Sequence, residues 1–369
     1  MVEEFSIGNL KNVMDEKFHT LKRTFETAAG EGKQIIIFGA GLVGVGCLNI
    51  IRKLSSVKII FCDNDPQKHG MTINGVPVIN FDELKKDYSD GYIIIASVAN
   101  YNEILAQLKE NKLHKNVIEI YDNVFLFAGY YNYYDLICEN ELMFSEVYNF
   151  LFDDYSKQTF IERLKYCLTG DPKYLIPLRS NMPRYFDPEI ISFSKDEIFI
   201  DAGAYTGDTA MGFLKWIGGN YKKIYSFEPD INNRIEFSNT FPSNKDIELI
   251  PFGLWERKGV LRFKSGKKTG SRINEDGNVE IPVISIDEFL DGNPVTFIKM
   301  DIEGAEMKAI KGAEASIKKY KPKLAICIYH KPLDIVEIPL LLKEIVPEYK
   351  IFIRHYGDGP FDTICYAIP

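Results

Sequence analysis

Basic surplus, paired cysteines and long apolar runs are missing from this 369-residue sequence, and histidine is scarce. Each shortage excludes a class of function. Lysine and arginine number 44 against 52 acidic residues, for a net charge of -8. That balance gives no footprint for nucleic-acid backbones, which demand clustered positive charge, and none for an anionic membrane surface. No apolar run approaches the roughly 20 residues of a membrane-spanning helix. The opening Met1-Val2-Glu3-Glu4 lacks the basic-then-apolar pattern of a secretory signal. The six cysteines (Cys47, Cys62, Cys138, Cys167, Cys327, Cys365) form no C-x-x-C pair. Isolated thiols of this kind suit buried, reduced positions in a cytoplasmic protein.

What is present is a chain long enough for two cores, with 46% hydrophobic residues to fill them. The organisation expected is an N-terminal helix over 1–30, a Rossmann-like nucleotide-binding domain over 31–125, a helical connector over 126–195 and a second α/β domain over 196–369. In the first segment Leu10, Met14, Phe18, Leu21 and Phe25 recur at helical spacing and mark one apolar stripe. Residues 33–122 alternate strand and helix, with strands expected at 34–38, 57–62, 92–96 and 117–121, the pattern of a parallel sheet. The connector is aromatic at its start (Phe125, Phe127, Tyr130, Tyr131, Tyr133, Tyr134), helical from Glu139 to Leu168, and then broken by prolines. Few basic residues interleave those rings, so a nucleic-acid stacking surface is disfavoured. Beyond 196, strands are expected at 197–202, 223–228, 247–254, 296–301 and 323–329. Two more, 350–356 and 362–368, form a terminal hairpin that adds an antiparallel strand.

Two glycine-rich loops stand out, each following a strand. The second runs Asp201-Ala202-Gly203-Ala204-Tyr205-Thr206-Gly207-Asp208. One strand later, Glu228 in Phe227-Glu228-Pro229-Asp230 is placed to accept hydrogen bonds from ribose hydroxyls. The next strand leads to Phe252, where an aromatic ring can lie against an adenine. Lys299-Met300-Asp301-Ile302-Glu303-Gly304-Ala305-Glu306 puts three carboxylates at the carboxyl edge of the sheet, where ligands of open α/β sheets bind. With Lys321-Pro322-Lys323-Leu324-Ala325-Ile326, Tyr329-His330-Lys331 and Arg354-His355-Tyr356, these stretches resemble the FkbM-type S-adenosylmethionine-dependent methyltransferases. The resemblance covers about half the chain. It implies a class I methyltransferase fold, bound S-adenosylmethionine and O-methylation of a sugar or related natural product. Asp201, Gly203, Tyr205, Gly207, Glu228, Phe252 and Asp301 are the cofactor contacts it implies.

The first loop places Gly39, Gly41 and Gly44 in a G-x-G-x-x-G pattern between a strand and a helix. Asp63 follows about twenty residues on, where an unphosphorylated ribose is held. No Tyr-x-x-x-Lys pair occurs in 31–125, so hydride transfer lacks its acid. The segment, with Asp63-Asn64-Asp65 and Gly75-Val76-Pro77-Val78-Ile79, is similar to the nucleotide-binding domains of bacterial glycan-modifying enzymes. That likeness implies a nucleotide or nucleotide-sugar; a dinucleotide and no ligand at all stay open.

Methyl transfer to a hydroxyl needs in-line placement and a base for the proton. Of five histidines, His330 and His355 end late strands near the expected acceptor, with Asp301 beside them. His330 is the expected base and His355 the alternative. Asp301, Glu303 and Glu306 read as orienting groups for substrate hydroxyls, and no metal is expected. Tyr185 and Phe186 read as core or as a lid. The expectation is thus an enzyme of the cytoplasm acting on a sugar or glycan-precursor hydroxyl, without nucleic-acid partner or membrane span. Whether it is a homo-oligomer is left open. An NAD-dependent sugar-nucleotide oxidoreductase and a non-catalytic sensor or scaffold are the rival readings.

Overall fold

The computed structural model describes residues 3–97, 100–118, 133–242, 245–264, 272–273, 279–357 and 359–369. It contains two α/β units. In the first, β1 (Ile35–Phe38) is Ile-Ile-Ile-Phe and fully buried, the mark of a strand covered on both faces. It pairs in parallel with β2 (Ile59–Cys62) and β5 (Tyr92–Ile95). β4 (Val76–Ile79) extends the sheet in parallel, and β3 (Thr72–Ile73) folds back on it. The order is β3-β4-β2-β1-β5. The β3–β4 hairpin was not anticipated. The strand expected at 117–121 survives as one bridge from Val117 to Ile93, with the Ile118 N–H donated to the Ile93 carbonyl oxygen at 2.8 Å; residues 119–121, like the aromatic run 125–131, lie outside the described residues.

The second unit holds a seven-stranded sheet in the order β15-β16-β14-β13-β6-β7-β8. Its strands are β6 (Ile198–Ala202), β7 (Lys223–Phe227), β8 (Ile247–Ile250), β13 (Phe297–Met300), β14 (Lys323–Cys327), β15 (Lys350–His355) and β16 (Thr363–Ile368). All pairings are parallel except those of β16, which runs against both β14 and β15. The strand order and the terminal antiparallel hairpin are those expected from the sequence. Between β8 and β13 lies a small separate sheet of β9 (Gly253–Leu254), β10 (Gly259–Lys264), β11 (Arg272–Ile273) and β12 (Val279–Ile284). The sequence reading placed only β9 there, joined to β8.

The connector forms helices Tyr133–Glu139, Glu141–Phe150 and Asp154–Thr169. The last packs on β15, and Arg354 of that strand pairs with Asp153 at 2.6 Å. Arg354 is therefore a buried strut between the connector and the large sheet. Helix Ile7–Gly30 ties the units together: Leu10 joins the core of the connector and large sheet, while Leu21, Phe25 and Ala28 join that of the first unit. None of the six cysteines forms a disulfide; five are buried, but Cys138 is exposed. Among the described residues no helix is long and apolar enough to cross a membrane.

Candidate active site

The carboxyl ends of β6, β7 and β13 meet at the second glycine loop. β6 ends in Asp201-Ala202, and the chain turns at Gly203 with φ of 76°. A Cβ there would stand 2.0 Å from the Asp301 carbonyl oxygen, so only glycine lets loop and β13 tip touch. The loop then enters helix Asp208–Ile217 through Gly207. From β7, Glu228 accepts the Tyr205 N–H (2.9 Å) on one carboxylate oxygen and the Asp230 N–H (2.8 Å) on the other. The Asn233 side chain also bonds this carboxylate, and the lone-pair capacity left over can take a ligand hydroxyl. Tyr205 is 46% exposed beside it, and Phe252 is half-buried past the end of β8.

Behind the loop is a buried ion pair. Lys299 Nζ lies 3.0 Å from Asp201 Oδ1 and also donates to the carbonyl oxygens of Ala202 (3.1 Å) and Gly203 (2.8 Å). Burial works against the Lys299 ammonium, but Asp201 and Asp301 outweigh it and raise its pKa. Asp201 has no accessible surface, so it supports the loop from the core instead of lining the ligand face as expected. A lysine in the apolar run Phe-Ile-Lys-Met was the available signal for this pair, since buried lysines demand an anion.

At the tip of β13, Asp301 accepts the Tyr185 hydroxyl on Oδ2 (2.8 Å) and the Tyr329 hydroxyl on Oδ1 (3.0 Å). Burial opposes its charge, but Lys299, His330 and the two hydroxyls together lower its pKa. His330 lies with it: Nε2 is 3.4 Å from Asp301 Oδ1, and Nδ1 is 3.0 Å from Glu306 Oε1. Burial alone would lower the His330 pKa; Glu306, then Asp301 and Glu303, reverse this and push it up to about 9. The resting ring is therefore an imidazolium at neutral pH. Asp301, Glu306 and His330 each offer a ligand atom within 4.8 Å of the others, a separation that suits a divalent cation. Here, however, the two ring nitrogens each face a carboxylate, both Asp301 oxygens hold tyrosine protons, and an ammonium lies close by. The arrangement reads as a charge-paired triad. His355 does not join it: it has no exposed surface, its Nδ1 is 2.9 Å from Thr363 Oγ1, and its carbonyl accepts the Ser180 N–H. With no exposed surface, the His355 ring does not open onto the carboxyl edge of the sheet. Tyr185, Tyr329 and Lys299 were not read as site residues.

In the first unit, Gly39 (φ 117°) and Gly44 are required by packing, their Cβ positions lying 2.5 Å from the Ala96 carbonyl oxygen and 2.0 Å from that of Gly39. Gly41 faces open space, and Leu42 next to it is 86% exposed. Asp63 accepts from the Ala40 N–H (2.7 Å), the Asp65 N–H (2.9 Å) and Lys68 Nζ (2.9 Å), which lower its pKa despite burial. The loop and β2 are thus locked together, with Asp63 spending much of its capacity inside the protein.

Residues 201–356 match the family model of the methyltransferase FkbM domain. Residues 31–119 match the C2185-like N-terminal family. No curated protein matches the chain. Among solved structures it is similar to methyltransferase FkbM from Methylobacillus flagellatus KT, with TM-score 0.68 and 24% identity over 98% of this chain and 100% of that one. It is also similar to Aeropyrum pernix fibrillarin, crystallised with natively bound S-adenosyl-L-methionine, with TM-score 0.33 and 12% identity over 48% and 70% of the two chains. That second likeness is too distant to bear on this chain. The glycine loop, the β13 tip and every strand of the large sheet except β16 fall in or at the edge of the matched region; β16 and Tyr185 fall outside it.

Proposed function

We propose that the FkbM domain transfers a methyl group from S-adenosylmethionine to a hydroxyl oxygen of a sugar or glycan precursor. The observation that carries this is the contact between the Gly203 loop and the Asp301 tip, which sets a nucleoside-holding edge against a carboxylate–imidazole pair. The donor set fits the cofactor: Glu228 has lone pairs for ribose hydroxyls, Gly203, Tyr205 and Gly207 shape the turn, and Phe252 offers an apolar ring for adenine. S-adenosylmethionine supplies a methyl group on a sulfonium, so that a C–O bond forms to the acceptor as the C–S bond breaks and sulfur keeps the electron pair.

The chain's own part is orientation and proton removal. Asp301, fixed by two tyrosines, orients the acceptor hydroxyl. His330 in its neutral form accepts that hydroxyl's proton on Nε2, with Glu306 and Asp301 stabilising the imidazolium that results. The carboxylates around the site favour a cationic group at the transfer point and disfavour an anionic acceptor.

The first unit is read as a holder for a nucleotide or nucleotide-sugar. Open space at Gly41 and the exposed Leu42 support it; the engagement of Asp63 leaves less for a ribose than the sequence implied. Incubation of the full chain with methyl-labelled S-adenosylmethionine and a panel of nucleotide sugars tests the whole proposal. Label transferred to a sugar hydroxyl is the expected result. Oxidation or reduction of NAD with any of these sugars, without label transfer, would favour the oxidoreductase instead.

A further inference from the structure

We infer that Tyr185 is a positioning residue for this site, so that the connector is part of the catalytic unit. The inference rests on the methyl-transfer reading above. Tyr185 has φ of 72°, in the left-handed region that a bulky aromatic residue adopts only at a cost. Four contacts hold it there. Its N–H donates to the Tyr366 hydroxyl at 3.1 Å. Its ring meets Phe186 edge-on, with centroids 6.3 Å apart. Arg184 lies over the ring at 4.9 Å and pairs with Asp362, itself a left-handed residue. Lys299 Nζ is 5.3 Å from the ring centre.

Space filling alone does not account for this residue. Tyr185 is 2% exposed, and phenylalanine would fill the same volume without burying a hydroxyl. The hydroxyl goes to Asp301 Oδ2 while Tyr329 takes Oδ1. With one donor on each oxygen, the carboxylate cannot rotate about its terminal bond without losing one of them. Tyr329 belongs to the matched domain; the other half of the clamp comes from the connector. Among the described residues, the groups that face Asp301 include Asp201 from β6, Lys299 from β13, Cys327 from β14, Tyr329 and His330 after it, and Arg184 and Tyr185 from the connector. Among the described residues, Tyr185 and Tyr329 are the neutral side-chain donors that fix its orientation.

Calorimetry on the full chain with two probes tests this. Sinefungin carries an ammonium where S-adenosylmethionine carries its methyl sulfonium; S-adenosylhomocysteine carries nothing there. Tyr185→Phe should weaken sinefungin about 10-fold, at the low end for a hydrogen bond to a charged group. Affinity for S-adenosylhomocysteine should stay within about two-fold, and Tm within a few degrees. Tyr185→Leu, which also removes the ring, should lower Tm further. Equal losses for both probes, unchanged sinefungin affinity, or a Tyr185→Phe chain as unstable as Tyr185→Leu would each overturn the inference. A wild-type chain that binds neither probe would instead overturn the methyl-transfer reading, and this inference with it.

Discussion

Lys299 and Asp201 form an ion pair 3.0 Å long with both side chains sealed from water. Breaking such a pair leaves an uncompensated charge and typically costs about 3–5 kcal/mol, whereas exchanging both partners for apolar groups is often neutral. Lys299→Met should therefore lower unfolding free energy in urea by that amount. The Lys299→Met/Asp201→Leu double variant should recover much of it. A double variant as damaged as the sum of both singles would show that the ammonium's bonds to the loop carbonyls, and not the pairing, are what matter.

The pH dependence follows from His330. Its pKa of about 9 means that the form able to take a proton is scarce at neutral pH. kcat/KM should rise with pH through about 9 in the free enzyme. Glu306→Gln removes the leading charge partner, so the limb should move to lower pH. The same shift acts on stability with the opposite sense. A folded-state pKa above the unfolded one contributes stability below about 6.5 that is lost as pH rises through about 9. A rate profile flat from pH 6 to 10 would remove His330 from proton transfer.

Glu228→Gln should weaken S-adenosylmethionine by about one to two decades, the usual effect of losing a charged hydrogen bond. Titration calorimetry measures it directly. Glutamine keeps one acceptor for the Tyr205 or Asp230 N–H, so the fold should hold. Unchanged affinity would move the ribose away from the β7 tip.

Two glycines of the first loop should respond differently. Gly44→Ala places a methyl against the Gly39 carbonyl and should lower Tm by several degrees, as overpacking of about 1–3 kcal/mol does. At Gly41 a Cβ meets open space, so Gly41→Val should lower Tm far less, by no more than the loss of a favourable helix cap. If the unit holds a nucleotide, thermal-shift stabilisation by uridine-diphosphate sugars or NAD seen with the wild type should vanish in Gly41→Val alone. No shift with any nucleotide in the wild type would leave this loop without a ligand.

The sequence spoke clearly wherever structure is local. A strand that runs into glycine and then a helix is punctuated within a dozen residues, so both glycine loops and the strands of the large sheet could be read with small boundary errors. β10 and β12 were missed because Gly259–Lys264 and Val279–Ile284 are separated by polar residues and lack the strand–helix rhythm around them. The site itself was half legible. Asp301 and His330 announce themselves as polar residues ending apolar strands. Tyr185 does not, because its meaning lies in a bond to a residue 116 positions away and in a backbone angle no spacing encodes. The protonation of His330 was equally hidden: an isolated histidine suggests a base, and only the folded neighbours make it an imidazolium.

β16 sits between β14 and β15, so β15 has no path to the sheet except through its hairpin partner. Helix Asp154–Thr169 takes its seat from β15, through Arg354 with Asp153 and the Ile353 N–H donated to Ser156 Oγ at 2.9 Å. The connector that carries Tyr185 therefore rests on a strand held to the sheet at second hand. A substitution that loosens the β15–β16 pairing should be felt at Asp301 through the seating of Tyr185, although neither strand touches that carboxylate.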